Sequence, residues 1–304
     1  MPDQTEQVSI WASFENLLKE AEQKFFKHDF EAAMQLWQEY AKITGASKWK
    51  RAATDLNYLI KEFVATNPTD PQKYFDDWLR LRNRIAENQL SPYAFHLMER
   101  LFAQIFLATK QTVSFDVATG IFCFIEKRFD KAKENLSIVL NQQPDNLLAR
   151  IYLSKCAYAL NEEEHGSAYL SQAMFLGGNQ ILPEDIGSLQ IRNLYGRFKS
   201  FYGKGEAGVW LVPFEAWYRN LLVWLEDIAF FQVMQHKERN ERILQVKYYA
   251  FEKYRHFVRC LFIEEYVRHF IPKEKGIIWE QEAYMEKLDA ALFQRYRKKR
   301  KPIA

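Results

Sequence analysis

The chain has 304 residues, a formal net charge of +3, few glycines (11) and prolines (9), and 16% aromatic residues. That composition excludes collagen-like, low-complexity and disordered chains, and it argues against the turn-rich sandwiches and barrels. Cys123, Cys156 and Cys260 are too few and too far apart for a disulfide framework or a zinc ribbon, so a reducing, cytoplasmic setting is expected.

Met1 to Ile10 carries Asp3 and Glu6 and no basic start leading into an apolar run, so no signal peptide is expected there. Helical periodicity dominates from that point on, and breakers divide it into about eleven or twelve helices. Gly45 ends one helix, and Asn67-Pro68-Thr69-Asp70-Pro71 is a rigid break. Ser91-Pro92 reads as an N-cap followed by proline in the first turn. Further breaks fall at Pro144-Asp145-Asn146, Gly177-Gly178-Asn179, Pro183-Glu184-Asp185, Gly203 to Gly208 and Pro272 to Gly276. Beyond Pro183 the helices lengthen, to about 209–235, 239–270 and 277–300. The apolar stretch Val209 to Met234 holds Glu215, Arg219, Glu226 and Asp227, which argues against a membrane span.

Two blocks share more than helical periodicity. Ala33, Trp37, Tyr40 and Ala41 in one correspond to Ala132, Leu136, Val139 and Leu140 in the other. Phe30 and Phe129 precede them at the same distance, each behind a polar turn, Lys27-His28-Asp29 or Glu126-Lys127-Arg128. Small residues lie upstream (Ala21, Gly120) and breakers downstream (Gly45, Pro144). The blocks are 99 residues apart, about three periods of 33. Small residues on both helices of a pair permit close approach, and the aromatic wedges between them after the turn. The unit Gly120 to Pro144 resembles the tetratricopeptide repeat, with Leu17 to Gly45 the next match. A step forward from Gly120 reaches Ser154, Gly166, Leu170, Ala173 and Met174, with Glu163 where the turn aromatic would stand. A weaker unit has Trp78 and Leu81 followed by Ala94, Met98, Leu101 and Phe102, with Arg82 in the small-residue place.

The resemblance implies an all-α fold: an α-α superhelix of helical hairpins over 1–182 and a C-terminal helical bundle over 183–304. It also implies a wall formed by the first helix of each pair, with Phe25, Ile121, Phe124, Lys155 and Tyr158 facing a groove. Family members that clamp a terminal carboxylate use basic and amide side chains on that wall. Here Leu18, Glu22, Val117 and Ile121 stand there, so a groove for an apolar helix or extended peptide is expected. Tyr158→Ala or Phe124→Ala is then expected to weaken partner binding without unfolding the chain.

Chemistry-bearing constellations are few. Gly203-Lys204-Gly205-Glu206-Ala207-Gly208 spells a dinucleotide fingerprint, but no strand precedes it and no βαβ pattern surrounds it. His256, Cys260 and Glu264 recur every four residues along a helix near His269, and read as a packed stripe more readily than as a metal set. Residues 236–304 carry 17 Lys and Arg against 10 Asp and Glu, a net of +7, which leaves −4 for the rest. The final run Arg295, Arg297, Lys298, Lys299, Arg300 and Lys301 is either a solvated helix end or a surface for an acidic partner. The expected function is a non-enzymatic scaffold or adaptor, without metal or cofactor, that holds a peptide or helix of a protein partner. A nucleic-acid-associated repeat protein using the basic end, or a bundle enzyme with a metal at His256, Glu264 or His269, are the alternatives.

Overall fold

The computed structural model describes residues 4–64, 70–109, 116–201, 206–244 and 250–300. The fold is all-α: fifteen α-helices and no strand among the described residues. In chain order these are α1 (Gln4–Phe26), α2 (Phe30–Thr44), α3 (Ser47–Leu59, extended by a π turn over Ile60–Val64), α4 (Pro71–Ala86) and α5 (Pro92–Thr109). Then come α6 (Val117–Ile125), α7 (Phe129–Gln142), α8 (Leu147–Ala159), α9 (Glu163–Gly177) and α10 (Leu189–Phe201). The last are α11 (Glu206–Tyr218), α12 (Ile228–Leu244), α13 (Ala250–Phe270), α14 (Lys275–Leu288) and α15 (Ala290–Lys299).

Three hairpins, α1–α2, α6–α7 and α8–α9, turn through the same corner. Its central residue is left-handed in each: His28 (φ 63°), Lys127 (φ 59°) and Asn161 (φ 61°). The next amide closes back over the end of the first helix, Asp29 N to Lys24 O at 3.0 Å, Arg128 N to Cys123 O at 2.8 Å and Glu162 N to Ala157 O at 2.8 Å. This satisfies carbonyls that a bare helix end would orphan, and it reverses the chain in three residues. The same closure ends α4 at Asn88 and α11 at Asn220.

The corner fixes the packing register. Phe30 and Phe129 each begin the second helix, and each ring lies 5.4 Å from a first-helix phenylalanine, Phe25 or Phe124. Beyond the corner, small buried residues recur on both helices of each hairpin: Ala21 and Ala33, Gly120 and Ala132, Ser154 and Gly166. Ser154 Oγ donates to the Gly166 carbonyl at 2.7 Å, a contact that a larger residue at either place would prevent. A β-carbon on Gly120 would stand 2.5 Å from Leu136 Cγ, which is why that position has no side chain.

Contacts divide the chain into two compact units, Met1–Ser114 with Ile125–Lys127, and Phe115–Phe124 with Arg128–Ala304. Within the second unit, α8 and α9 share a core with the C-terminal helices. Phe175 meets the rings of Phe230 (5.8 Å) and Phe262 (6.1 Å). The buried Arg150 guanidinium lies 4.0 Å from the Phe230 ring centroid, donates to Pro144 O at 2.6 Å and pairs with Asp227 at 3.4 Å.

The long C-terminal helices expected from periodicity are interrupted. The stretch 209–235 breaks after Tyr218, where Asn220 turns left-handed, and α12 starts only when Asp227 Oδ1 accepts from Phe230 N at 2.8 Å. The stretch 277–300 breaks at Asp289, whose extended backbone and side chain cap α15 through Leu292 N at 2.9 Å. In both cases an Asn or Asp with a local hydrogen bond overrides a continuous apolar period. Within 239–270, residues 245–249 lie outside the described residues. So do residues 203–205 of the glycine-rich stretch expected as a loop at 203–208, and Glu206 to Gly208 are already in α11.

Candidate interaction surfaces

The five residues expected on a groove wall have different fates. Phe25 and Ile121 are 0% exposed, so they belong to the hairpin cores and not to an open wall. Phe124, Lys155 and Tyr158 lie in the second unit, on α6 and α8. Lys155 Nζ sits 5.1 Å from the Phe124 ring centroid and 4.7 Å from that of Tyr152.

That wall is covered by the chain's own segment between α9 and α10. Ile181 and Ile186 are buried, and a 3-10 turn over Pro183–Asp185 lies between them. Asp185 is 1% exposed; its Oδ2 accepts from Leu182 N at 2.8 Å, and its Oδ1 stands 3.8 Å from Lys155 Nζ. A β-carbon on Gly187 would lie 2.2 Å from the Tyr158 ring, and one on Gly166 would lie 2.8 Å from it. The ring is thus held between two glycines, with its hydroxyl 2.7 Å from Ser167 Oγ. Burial pushes the Tyr158 hydroxyl pKa up. Lys155 and Tyr158 therefore already have partners inside the fold.

The basic terminal run is also engaged from within. Arg295 pairs with Glu215 and lies over the rings of Phe214 and Tyr218. Lys299 donates to the Trp217 carbonyl and stands 4.2 Å from the Trp217 ring centroid. Arg300 pairs with Glu265, a carboxylate only 2% exposed. Burial lowers the pKa of both Lys299 and Arg300. Between them Tyr296 is fully buried and donates to Glu282 Oε1 at 2.9 Å. Arg297 and Lys298 are exposed, Arg297 over the Phe293 ring, and Lys301 lies outside the described residues.

The His256–Cys260–Glu264 stripe is the middle of an ionic network. His256 Nδ1 and Nε2 each lie 3.9 Å from a carboxylate, Glu238 and Glu241. Arg242 holds Glu238, donates to Gln281 at 2.8 Å and reaches Glu280 at 3.0 Å. Glu264 faces Arg268, which also reaches Glu282 at 2.8 Å. His269 is turned toward the Glu265 carbonyl, 2.8 Å from Nδ1. Burial and the neighbouring Glu238 keep the Cys260 thiol protonated, with its pKa well above the ordinary value. Among the described residues no three His, Cys, Asp or Glu side chains converge to hold a metal ion.

One open surface was not anticipated from the sequence. In the first unit, Lys19, Glu22, Gln23 and Phe26 of α1 and Lys27 of the following turn face Arg100 and Gln104 of α5 across a groove of about 470 Å³. Trp37 Nε1 donates to the Tyr93 hydroxyl (3.1 Å), which donates to Glu22 Oε1 (3.0 Å), fixing one end. Burial and Glu22 push the Tyr93 pKa upward, so the hydroxyl stays a donor. The Arg100 guanidinium carbon lies over Phe26, 4.5 Å from the ring centroid. Among the described residues, Lys19, Lys27 and Arg100 have no carboxylate partner. Glu22 was the one position here that the repeat pattern placed on the wall. The α5 side depends on which helices neighbour α1, and that is not written in any local period.

No family model, curated protein or solved structure matches the chain. No helix of the described residues is long and apolar enough to cross a membrane.

Proposed function

We propose that the chain is a non-enzymatic interaction scaffold of tetratricopeptide-like helical hairpins, and that it recognises a segment of a protein partner in the groove between α1 and α5. The recurring left-handed corner, with the same 6→1 closure in three hairpins, is the observation that carries this reading. A duplicated hairpin is a device for building rigid inter-helical surfaces, and rigid surfaces bind segments without a large ordering cost. The α1/α5 groove supports the reading further, because its polar side chains face outward.

A photo-crosslinking residue at Gln23 or Gln104, in the full chain within its native cell, tests the reading. Crosslinks to a discrete protein from both positions, and none from the exposed Lys48 on α3, are expected. Crosslinks of equal yield from all three positions would remove it.

A further inference from the structure

We propose that the occupant of the α1/α5 groove is an acidic segment of a protein partner, an inference that rests on the scaffold reading above and names its ligand class. The argument is charge complementarity. Arg295, Lys299 and Arg300 all have partners inside the fold, whereas Lys19, Lys27 and Arg100 line one groove with no carboxylate partner among the described residues. Glu22 is the single acid in the lining, so the groove carries a net of two positive charges. One Glu22 oxygen is already occupied by the Tyr93 hydroxyl, which limits its repulsion of an incoming carboxylate.

The spacing suits a peptide. Lys19 stands seven residues before the end of α1, about 10 Å along the axis, and Lys27 follows directly in the turn. Carboxylates four residues apart on an extended strand are separated by about 13 Å. Arg100 sits over the Phe26 ring at an exposed position, and a guanidinium meets a planar carboxylate in a fork of two N–H bonds. The ring face that a nucleic-acid base would need is therefore taken by Arg100, and Glu22 opposes an unbroken row of phosphates. Both features favour a protein segment over a nucleic-acid strand.

Fluorescence anisotropy on the full chain tests this, with a labelled peptide of alternating Glu and Ala and a matched peptide of Gln and Ala. The acidic peptide is expected to bind, and its affinity to fall as salt is raised. Lys27→Glu combined with Arg100→Glu, both at exposed positions, should weaken it roughly ten-fold or more. Glu22→Gln, which keeps an acceptor for Tyr93, should tighten it. Arg297→Glu combined with Lys298→Glu, exposed on α15, should leave it unchanged. Equal binding of the Gln peptide, no binding of the acidic one, or loss of binding through the α15 variant instead would overturn the proposal. So would binding of an oligouridine tighter than that of the acidic peptide and lost in the same groove variants. Continued crosslinking from Gln23 and Gln104 in any of those cases would leave the scaffold reading standing with a different ligand class.

Discussion

Gly120 offers a quantitative test of the hairpin register. A β-carbon there would sit 2.5 Å from both Cγ and Cδ2 of Leu136, a side chain with no exposed surface. Cγ is the branch point of the leucine and cannot swing aside as a side-chain tip can, so the upper part of the overpacking range applies, about 2–3 kcal/mol. Replacing glycine by alanine inside a helix returns about 1 kcal/mol through lower backbone entropy. Gly120→Ala should therefore destabilise α6–α7 by about 1–2 kcal/mol net. Leu136→Ala alone should cost about 2–5 kcal/mol through its cavity. In the double variant the new methyl enters the vacated space, the clash disappears and only the helix gain remains, so the pair should be more stable than Leu136→Ala alone. Hydrogen exchange of the α6 and α7 amides, read as local opening free energies, separates these terms within the second unit. If Gly120→Ala raised protection and the two changes added without coupling, Gly120 would not face Leu136, and the shared register of Ala21 and Gly120 would fall.

Three further outcomes follow from the packing. Tyr158→Ala should lower stability by about 2–4 kcal/mol, because the ring fills the space between Gly166 and Gly187; an unchanged melting temperature would show that the segment over it is not seated. For Asp289, burial alone would raise the carboxyl pKa, but the Lys253 ammonium at 2.7 Å and the amides that begin α15 outweigh it and hold it below the ordinary carboxylate value. Its contribution is present above the unfolded pKa of about 3.9 and is lost as pH falls through the lower native value. Acid should thus release α15 amides to exchange, and Asp289→Ala should cost about 1–2 kcal/mol and abolish that acid dependence. Burial pushes the Cys156 thiol up to about 12, so its stabilising share is complete below the unfolded pKa of about 8.5 and is lost as pH rises through 12. The native chain should leave Cys156 unlabelled by a maleimide at pH 8, with labelling tracking denaturant unfolding.

Much of the α-helical architecture was legible because hairpins are written in local periods. The apolar spacing around Ala33 and Ala132, and the breakers at Gly45 and Pro144, are consequences of 3.6-residue geometry and of backbone chemistry at helix ends. The turn residues were legible by type but not by conformation. His28 and Lys127 adopt φ values that glycine or asparagine would normally supply, and only the surrounding closure reveals it. Asn220 and Asp289 were visible as residues and misjudged as helix interior, because a long apolar run outweighed a single capping side chain in the pattern. The candidate surface was least legible. Lys155 and Tyr158 lie on α8, yet whether a helix face stays open depends on where a later segment returns, and residues 181–188 return onto it. Arg100 gave no signal at all, since its meaning comes from Phe26, seventy-four residues earlier.

The charge distribution shows why segment totals mislead about binding. Residues 236–304 hold an excess of seven positive charges, which the sequence leaves open as a solvated helix end or a surface for an acidic partner. Yet Arg242, Arg268 and Arg300 are set against Glu238, Glu264 and Glu265, carboxylates with at most 2% exposure. A buried carboxylate needs its cation nearby, because desolvating it alone costs several kcal/mol, so these arginines cannot turn outward without destabilising the bundle. The residues before 236 sum to −4, and three cations without a carboxylate partner nonetheless gather on one groove there. With screening over about 8 Å at physiological salt, a ligand senses the local imbalance and not the segment sum. Pairing inside the fold, more than composition, decides which surface can attract charge, and on that criterion α1 and α5 outrank the basic terminus.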